Sequence, residues 1–170
     1  MERRSVESLV RALNEAGVRY LIVGGLAVVA HGHARFTGDV DLVLDLDAGN
    51  LGRAVDAFES LHYRPRAPVP FRDFADASKR AEWLSTKGLT VFSASSPEHS
   101  ATEIDLFVET PFDFAEVYAR AVRFEVAPGV EAPFVPVDDL IAMKRRAGRP
   151  IDLDDARVLE ALKPGGGHQP

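Results

Sequence analysis

The sequence predicts a mixed α/β (α+β) fold, a small mixed β-sheet flanked by helices. Three observations carry that expectation. Segments with apolar residues at helical spacing alternate with short runs at strand spacing. "DVDLVLDL", Asp39 to Leu46, alternates cleanly with period 2, so one face is apolar and needs cover from another layer,. The 170 residues are 46% hydrophobic and 27% charged, which suits one sizeable core,.

The elements follow in order. Val6, Leu9, Val10 and Leu13 recur at i, i+3, i+4, i+7 and mark an amphipathic helix that Gly17 stops,. "RYLIVGG" reads as a short buried strand broken by Gly24-Gly25, "LAVVAHG" as a short apolar helix, and "DVDLVLDL" as the second strand,. Leu51, Val55 and Phe58 place a helix from Ala48 to about Leu61, with Asp47 as its cap,. "YRPRAPVPFRDF" is Pro-rich and reads as loop,. After a charged helical stretch, "LTVFSAS" and "TEIDLFVE" form a strand pair around "SPEHS", and "VRFEVAPGVEAPFVPV" a hairpin over Pro128-Gly129. Two helices close the chain, Asp138 to about Ala147 and Asp152 to about Leu162, followed by a disordered tail at 164–170,.

Composition excludes several chemistries. With no cysteine there are no disulfides, thiolate metal sites or cysteine nucleophiles,. A formal net charge of −6 argues against a broad, non-specific grip on a nucleic-acid backbone,. The N-terminus lacks a signal-peptide pattern, and no run approaches the roughly 18 apolar residues of a membrane span. A cytoplasmic protein with no membrane partner is expected.

The carboxylates of the second strand pose a problem. Val40, Leu42, Leu44 and Leu46 share the core face; Asp39, Asp41, Val43, Asp45 and Asp47 share the other,. Asp39 and Asp41 are then about 6 to 7 Å apart and repel unless a cation lies between them. Mg²⁺ takes oxygen ligands of this kind; a solvated sheet face is the alternative. In "ATEIDLFVE", Ile104, Leu106 and Val108 take the core phase, leaving Asp105 on the same kind of polar face. Three carboxylates on two neighbouring strands suit a pair of metal ions about 4 Å apart in phosphoryl and nucleotidyl transfer. Gly24-Gly25, between strand and helix, allows main-chain N–H groups to approach a phosphate.

"VGG", "RFTGDVDLVLD" and "EIDLF", with the later "DLIAMKRRAGRPIDLDDARVL", resemble the polymerase-beta-like nucleotidyltransferase superfamily. More narrowly, they are similar to its minimal bacterial members, of the abortive-infection toxin and aminoglycoside nucleotidyltransferase types. The resemblance covers about Tyr20 to Leu159. It implies a nucleotidyltransferase domain over 1–163, with a catalytic core over 1–110, a hairpin and helices over 111–163, and transfer of a nucleoside monophosphate from an NTP to a hydroxyl. Mg²⁺, two ions, is the implied cofactor, with Mn²⁺ as the substitute. The acceptor would be a tRNA or other RNA, a protein or a small molecule, and an antitoxin is the implied partner.

Carried over residue by residue, Asp39, Asp41 and Asp105 hold the metals, with Asp105 as base on the acceptor hydroxyl. Gly24 and Gly25 cradle the phosphates, although many members have Ser where this chain has Gly25. Arg35 and Thr37 position phosphate or brace the loop; for Arg35 the alternative is a salt bridge to an acid. Lys144 reaches the triphosphate or is a solvated helix residue. Asp152 reads as the cap of the last helix, and Arg149 pairs with an acid or helps bind phosphate. Lys144, Arg145, Arg146, Arg149, Lys79, Arg80 and Lys87 form a candidate basic rim. His31 and His33 lack a third ligand for zinc and read as loop residues. Phe92, Phe107, Phe124 and Phe134 read as core. A second class of function, a catalytically inactive nucleotide-binding, regulatory or antitoxin module on the same fold, stands beside the enzyme.

Overall fold

The computed structural model describes residues 2–163; the tail expected at 164–170 lies outside the described residues. The chain begins with α1 (Arg3–Glu15), β1 (Tyr20–Val23), α2 (Gly24–Ala30), β2 (Asp39–Leu44) and α3 (Ala48–Ser60). A two-residue β3 (Arg64–Pro65), a 3₁₀ turn (Phe71–Ala75), α4 (Ala77–Lys87), β4 (Val91–Ser95) and β5 (Glu103–Phe107) follow. The chain continues through α5 (Phe114–Ala119), β6 (Val122–Ala127), β7 (Val130–Phe134), α6 (Val137–Ala147) and α7 (Pro150–Leu162).

One mixed sheet of seven strands runs β3-β4-β5-β2-β1-β7-β6. β1 and β2 are antiparallel, while β2 with β5 and β1 with β7 are parallel. The predicted pairs β4/β5 and β6/β7 are both antiparallel. Helix α1 buries Val6, Leu9, Val10 and Leu13 against α3 and the β6–β7 hairpin, and Gly17 supplies the positive φ (+63°) that ends it,. On the other flank α2 lies on β1 and β2 and touches α6, which packs along α7.

Alternation in β2 holds only at its start. Asp39 is exposed, Val40 buried, Asp41 intermediate, and then Leu42, Val43 and Leu44 are all buried, so the polar face is closed beyond Asp41. Asp45 and Asp47 serve folding. Asp45 pairs with Arg19 at 2.6 Å, and Asp47 caps α3 by accepting from the Asn50 main-chain N–H at 3.1 Å,. Buried Asn50 ties the two central strands together, donating to the carbonyls of Arg19 (3.0 Å) and Asp45 (2.9 Å) and accepting from Arg19 N–H (2.8 Å).

Three local expectations change. The Pro-rich "YRPRAPVPFRDF" is not all loop: Phe71 and Phe74 are buried and pack on Phe92, with Trp83 stacked on that ring from α4. Arg80 does not join a basic rim; it is buried and donates to the Phe74 carbonyl at 2.7 Å. Phe92 and Phe134 are core as expected, whereas Phe107 and Phe124 are half-buried.

Candidate active site

The site forms where three parts of the chain converge: the β1–α2 turn, the polar start of β2 beside β5, and the α6–α7 hairpin. They line a cavity of about 630 Å³ that includes Gly24, Gly25, Arg35, Thr37, Asp39, Asp41, Asp105 and Lys144. Residues expected from sequence to form one site therefore line one cavity.

The sheet register sets the carboxylates. In the parallel β2–β5 pair, Asp41 lies opposite Asp105 and Asp39 opposite Glu103. Parallel neighbours in register point their side chains to the same face, so Asp41 and Asp105 share one side of the sheet. Burial raises the Asp41 carboxyl above the usual carboxylate range, and the Asp105 charge raises it further. The Gly25 N–H and, more weakly, Lys144 work in the opposite direction and do not cancel the rise. Asp39 is also raised, by loss of solvent first and then by Asp105 and Glu103.

The glycines are a steric requirement. Gly24 has φ +61°, and a Cβ there would fall 1.8 Å from Asp41 Oδ2,. A Cβ on Gly25 would fall 2.3 Å from Thr37 Oγ1 and 3.1 Å from an Arg35 guanidinium nitrogen. The turn thus lies directly against Asp41 on one side and against the Arg35–Thr37 loop on the other. The Gly25 N–H faces Asp41 Oδ2 at a long 3.4 Å. Gly25 leaves the space in which Thr37 places its hydroxyl.

The cations are held by the last helix. Lys144 is not a solvated residue: it is buried, and its Nζ lies 2.8 Å from Asp152 Oδ1 and 2.9 Å from Asp155 Oδ2. Arg35 forms a salt bridge, but to Asp155 rather than to the strand acids, with Nε 2.8 Å from Oδ1 and Nη2 donating to Oδ2 at 3.0 Å. The Nε and Oδ1 atoms are both buried, and their 2.8 Å contact is electrostatic without hydrogen-bond alignment. Its Nη1 donates to the Phe36 carbonyl at 2.8 Å. Arg149 grips both oxygens of Asp152 while staying largely exposed.

Asp152 is a correction to the sequence reading. The N-cap of α7 is Arg149, with Pro150 opening the helix, and Asp152 sits inside the first turn with its side chain turned in to Lys144 and Arg149. Burial works against its charge, but the hydrogen bonds from Arg149 and Lys144 hold its carboxyl below the usual range,. Asp155, 1% exposed, was not singled out from sequence. Its signal was its spacing: three residues after Asp152, it lies on the same helix face.

His31 and His33 hold no metal pattern. His31 Nε2 lies 2.8 Å from the Val135 carbonyl, and His33 Nε2 lies 3.7 Å from Asp155 Oδ1. Among the described residues, no group of three or more His, Asp and Glu side chains is close enough as it stands to enclose an ion. The donor chemistry nevertheless fits a hard cation: Asp39, Asp41 and Asp105 offer only carboxylate oxygens, on one face, and Asp41 is destabilised as an anion by Asp105,. Among the described residues, no helix is long and apolar enough to cross a membrane.

Known proteins share this fold. A crystal structure of ANT(2″)-Ia in complex with adenylyl-2″-tobramycin superposes with a TM-score of 0.59 at 16% identity, covering 94% of this chain and 87% of that one. A solution structure of ANT(2″)-Ia matches with the same score and identity, covering 94% and 82%. The lincomycin-bound lincosamide antibiotic adenylyltransferase LnuA gives 0.59 at 13% identity, covering 96% and 99%. At these identities the likeness establishes the fold. No curated protein matches by sequence. The sequence model of the family described as nucleotidyl transferase AbiEii toxin, type IV TA system, matches residues 8–157. That span runs from within α1 to beyond Asp155 and takes in every wall of the cavity, and the chain belongs to this family of nucleotidyltransferases.

Proposed function

We propose that the chain transfers a nucleoside monophosphate from an NTP to an acceptor hydroxyl in a Mg²⁺-dependent reaction, with pyrophosphate leaving. The setting is that of a cytoplasmic toxin with a cognate antitoxin, and the acceptor is an RNA end, a protein or a small hydroxylated molecule. The observation that supports this most is the register pairing of Asp41 with Asp105 beneath the Gly24-Gly25 turn. It supports the reading because a turn without side chains and a pair of acids line one cavity.

Each residue then has a task. Asp39, Asp41 and Asp105 hold the divalent ions, Mg²⁺ or Mn²⁺, which when bound polarise the reacting phosphoryl oxygens and offset charge on the leaving group. Asp105 takes the proton of the acceptor hydroxyl in this reading. Gly24 and Gly25 admit a phosphate to the main chain with no Cβ in the way. Lys144 donates one N–H to Asp152 and lies in ion-pair contact with Asp155, leaving donor capacity for a phosphate oxygen,. Arg35, held by Asp155, braces the loop that carries Thr37, and Arg149 presents an exposed guanidinium at the rim.

Incubation with each labelled NTP, Mg²⁺ and total RNA or lysate tests the reading. Label should move to an acceptor with the natural chain and stay in NTP with Asp39→Ala/Asp41→Ala. Transfer that survives the double substitution overturns the assignment. A module that binds nucleotide without turnover shows a different pattern, a rise in Tm with Mg²⁺ and NTP but no label transfer.

A further inference from the structure

Phe36 is the most exposed large hydrophobic side chain among the described residues, at 85%, and it lines the wall of the active-site cavity. An aromatic ring left in water beside a charged cavity has no folding role that its exposure would serve, and nothing in the proposed phosphate and metal chemistry uses it. Its backbone is nonetheless fixed. The Phe36 carbonyl accepts from Arg35 Nη1 at 2.8 Å, and the same guanidinium is locked to buried Asp155. The chain therefore spends a buried ion pair on holding the loop that displays this ring. Ile151, 53% exposed at the start of α7, and Met143 of α6 line the same cavity.

The surroundings identify the ligand chemistry. Carboxylates, cations and glycines lining the cavity suit phosphates, and an exposed aromatic face with aliphatic residues in the same lining suits a flat, weakly hydrated ring. A nucleotide joins these two chemistries in one molecule. We propose that Phe36 is a stacking platform for a nucleobase, that of the incoming NTP, and so sets how tightly the nucleotide is held. This rests on the nucleotidyl-transfer reading above. The NTP is the favoured source because Phe36 adjoins Thr37, whose hydroxyl lies against the Gly25 position where the phosphates enter. Apolar stacking is tolerant of base identity, so larger purine rings should gain more from it than pyrimidines.

The test is equilibrium binding of ATP and CTP with Mg²⁺, and of inorganic triphosphate with Mg²⁺ as a probe without a base. It uses the natural chain, Phe36→Ala and Phe36→Tyr. The side chain is exposed, so thermal melting should confirm that both variants fold as the natural chain does. Phe36→Ala should weaken ATP by about ten-fold and CTP by less, leave triphosphate unchanged, and be restored by Phe36→Tyr. Unchanged ATP affinity overturns the proposal, as does an equal loss for triphosphate, which would mean the loop shapes the phosphate site. Unchanged ATP affinity with a raised KM for the acceptor overturns the NTP assignment and gives the platform to an acceptor base. Failure of the natural chain to bind either ATP or triphosphate overturns the parent reading, and this one with it.

Discussion

Replacing Asp105 with Asn should make the metal-free protein more stable while abolishing transfer. Asp105 and Asp41 are register partners on adjacent parallel strands, and the Asp105 carboxylate makes no hydrogen bond among the described residues that Asn would lose. With strands about 4.8 Å apart and both side chains on one face, the charges are separated by about 5 to 6 Å. At an effective dielectric of about 20 that is about 3 kcal/mol of repulsion. Solvent access and proton uptake by Asp41 reduce it to about 1–2 kcal/mol, or about 2–8 °C in Tm for a chain of this size. The sign with pH follows from Asp41, whose folded-state pKa is raised. The folded protein holds that proton more tightly than the unfolded chain, so its stability falls as pH rises from the ordinary carboxylate value through the raised one. The gain from Asp105→Asn should be full at neutral pH and shrink as pH falls toward about 4. Thermal melts in EDTA across pH 4–8 measure it. A variant no more stable than the natural chain at pH 7.5, or one whose gain ignores pH, refutes the claim that these two acids repel one another.

Further substitutions and one titration probe the supporting structure. Gly25→Ser forces its Cβ to within 2.3 Å of Thr37 Oγ1 and should cost about 1–3 kcal/mol,; Thr37→Ala should recover part of it, and a double-mutant cycle with no coupling would disprove the contact. Asp155→Ala leaves the charges of Arg35 and Lys144 without their shared carboxylate and should cost about 3–5 kcal/mol by urea unfolding,. Arg157→Ala, which breaks an exposed pair with Asp154, should leave the midpoint unmoved,. Burial pushes Tyr63, whose hydroxyl donates to the Thr102 carbonyl, up to about 12, and raises Tyr20 as well. Stability should then fall as pH rises from about 10 to 12, with phenolate absorbance from these two rings appearing only as the protein unfolds.

Periodicity made most elements readable before any coordinates. Val6, Leu9, Val10 and Leu13 could only be one face of a helix, and the alternation through Ile104, Leu106 and Val108 fixed which way Asp105 points. Which strands are neighbours is another matter. That β2 pairs with β5, and β1 with β7, depends on tertiary packing that no local pattern encodes. The buried Phe71 and Phe74 were hidden for a related reason: proline punctuation outweighs two aromatic residues in a local reading, while the core places them against Phe92. The same limit hid the inward turn of α7. In "DLDDARV" the sequence offers Asp152 as a helix cap and nothing marks Asp155, and only the partners supplied by Lys144 and Arg35 reveal both as interior groups.

Those partners also explain why, among the described residues, the strand acids Asp39, Asp41 and Asp105 have no salt bridge. Lys144, Arg35 and Arg149 all line it, and a simple count of charges suggests that they neutralise the strand acids. Their geometry says otherwise. Lys144 and Arg35 are drawn to Asp155, Lys144 and Arg149 to Asp152, so two buried carboxylates on α7 absorb most of the positive charge. What reaches Asp41 from Lys144 is smaller than the effects of burial and of Asp105, and the Asp41 carboxyl stays raised. Had α7 carried apolar residues at 152 and 155, Lys144 and Arg35 would be free to collapse onto Asp39, Asp41 and Asp105 and close the site with internal salt bridges. The α7 acids thus keep the cations ordered but occupied, and the strand acids unpaired on the open side of the cavity.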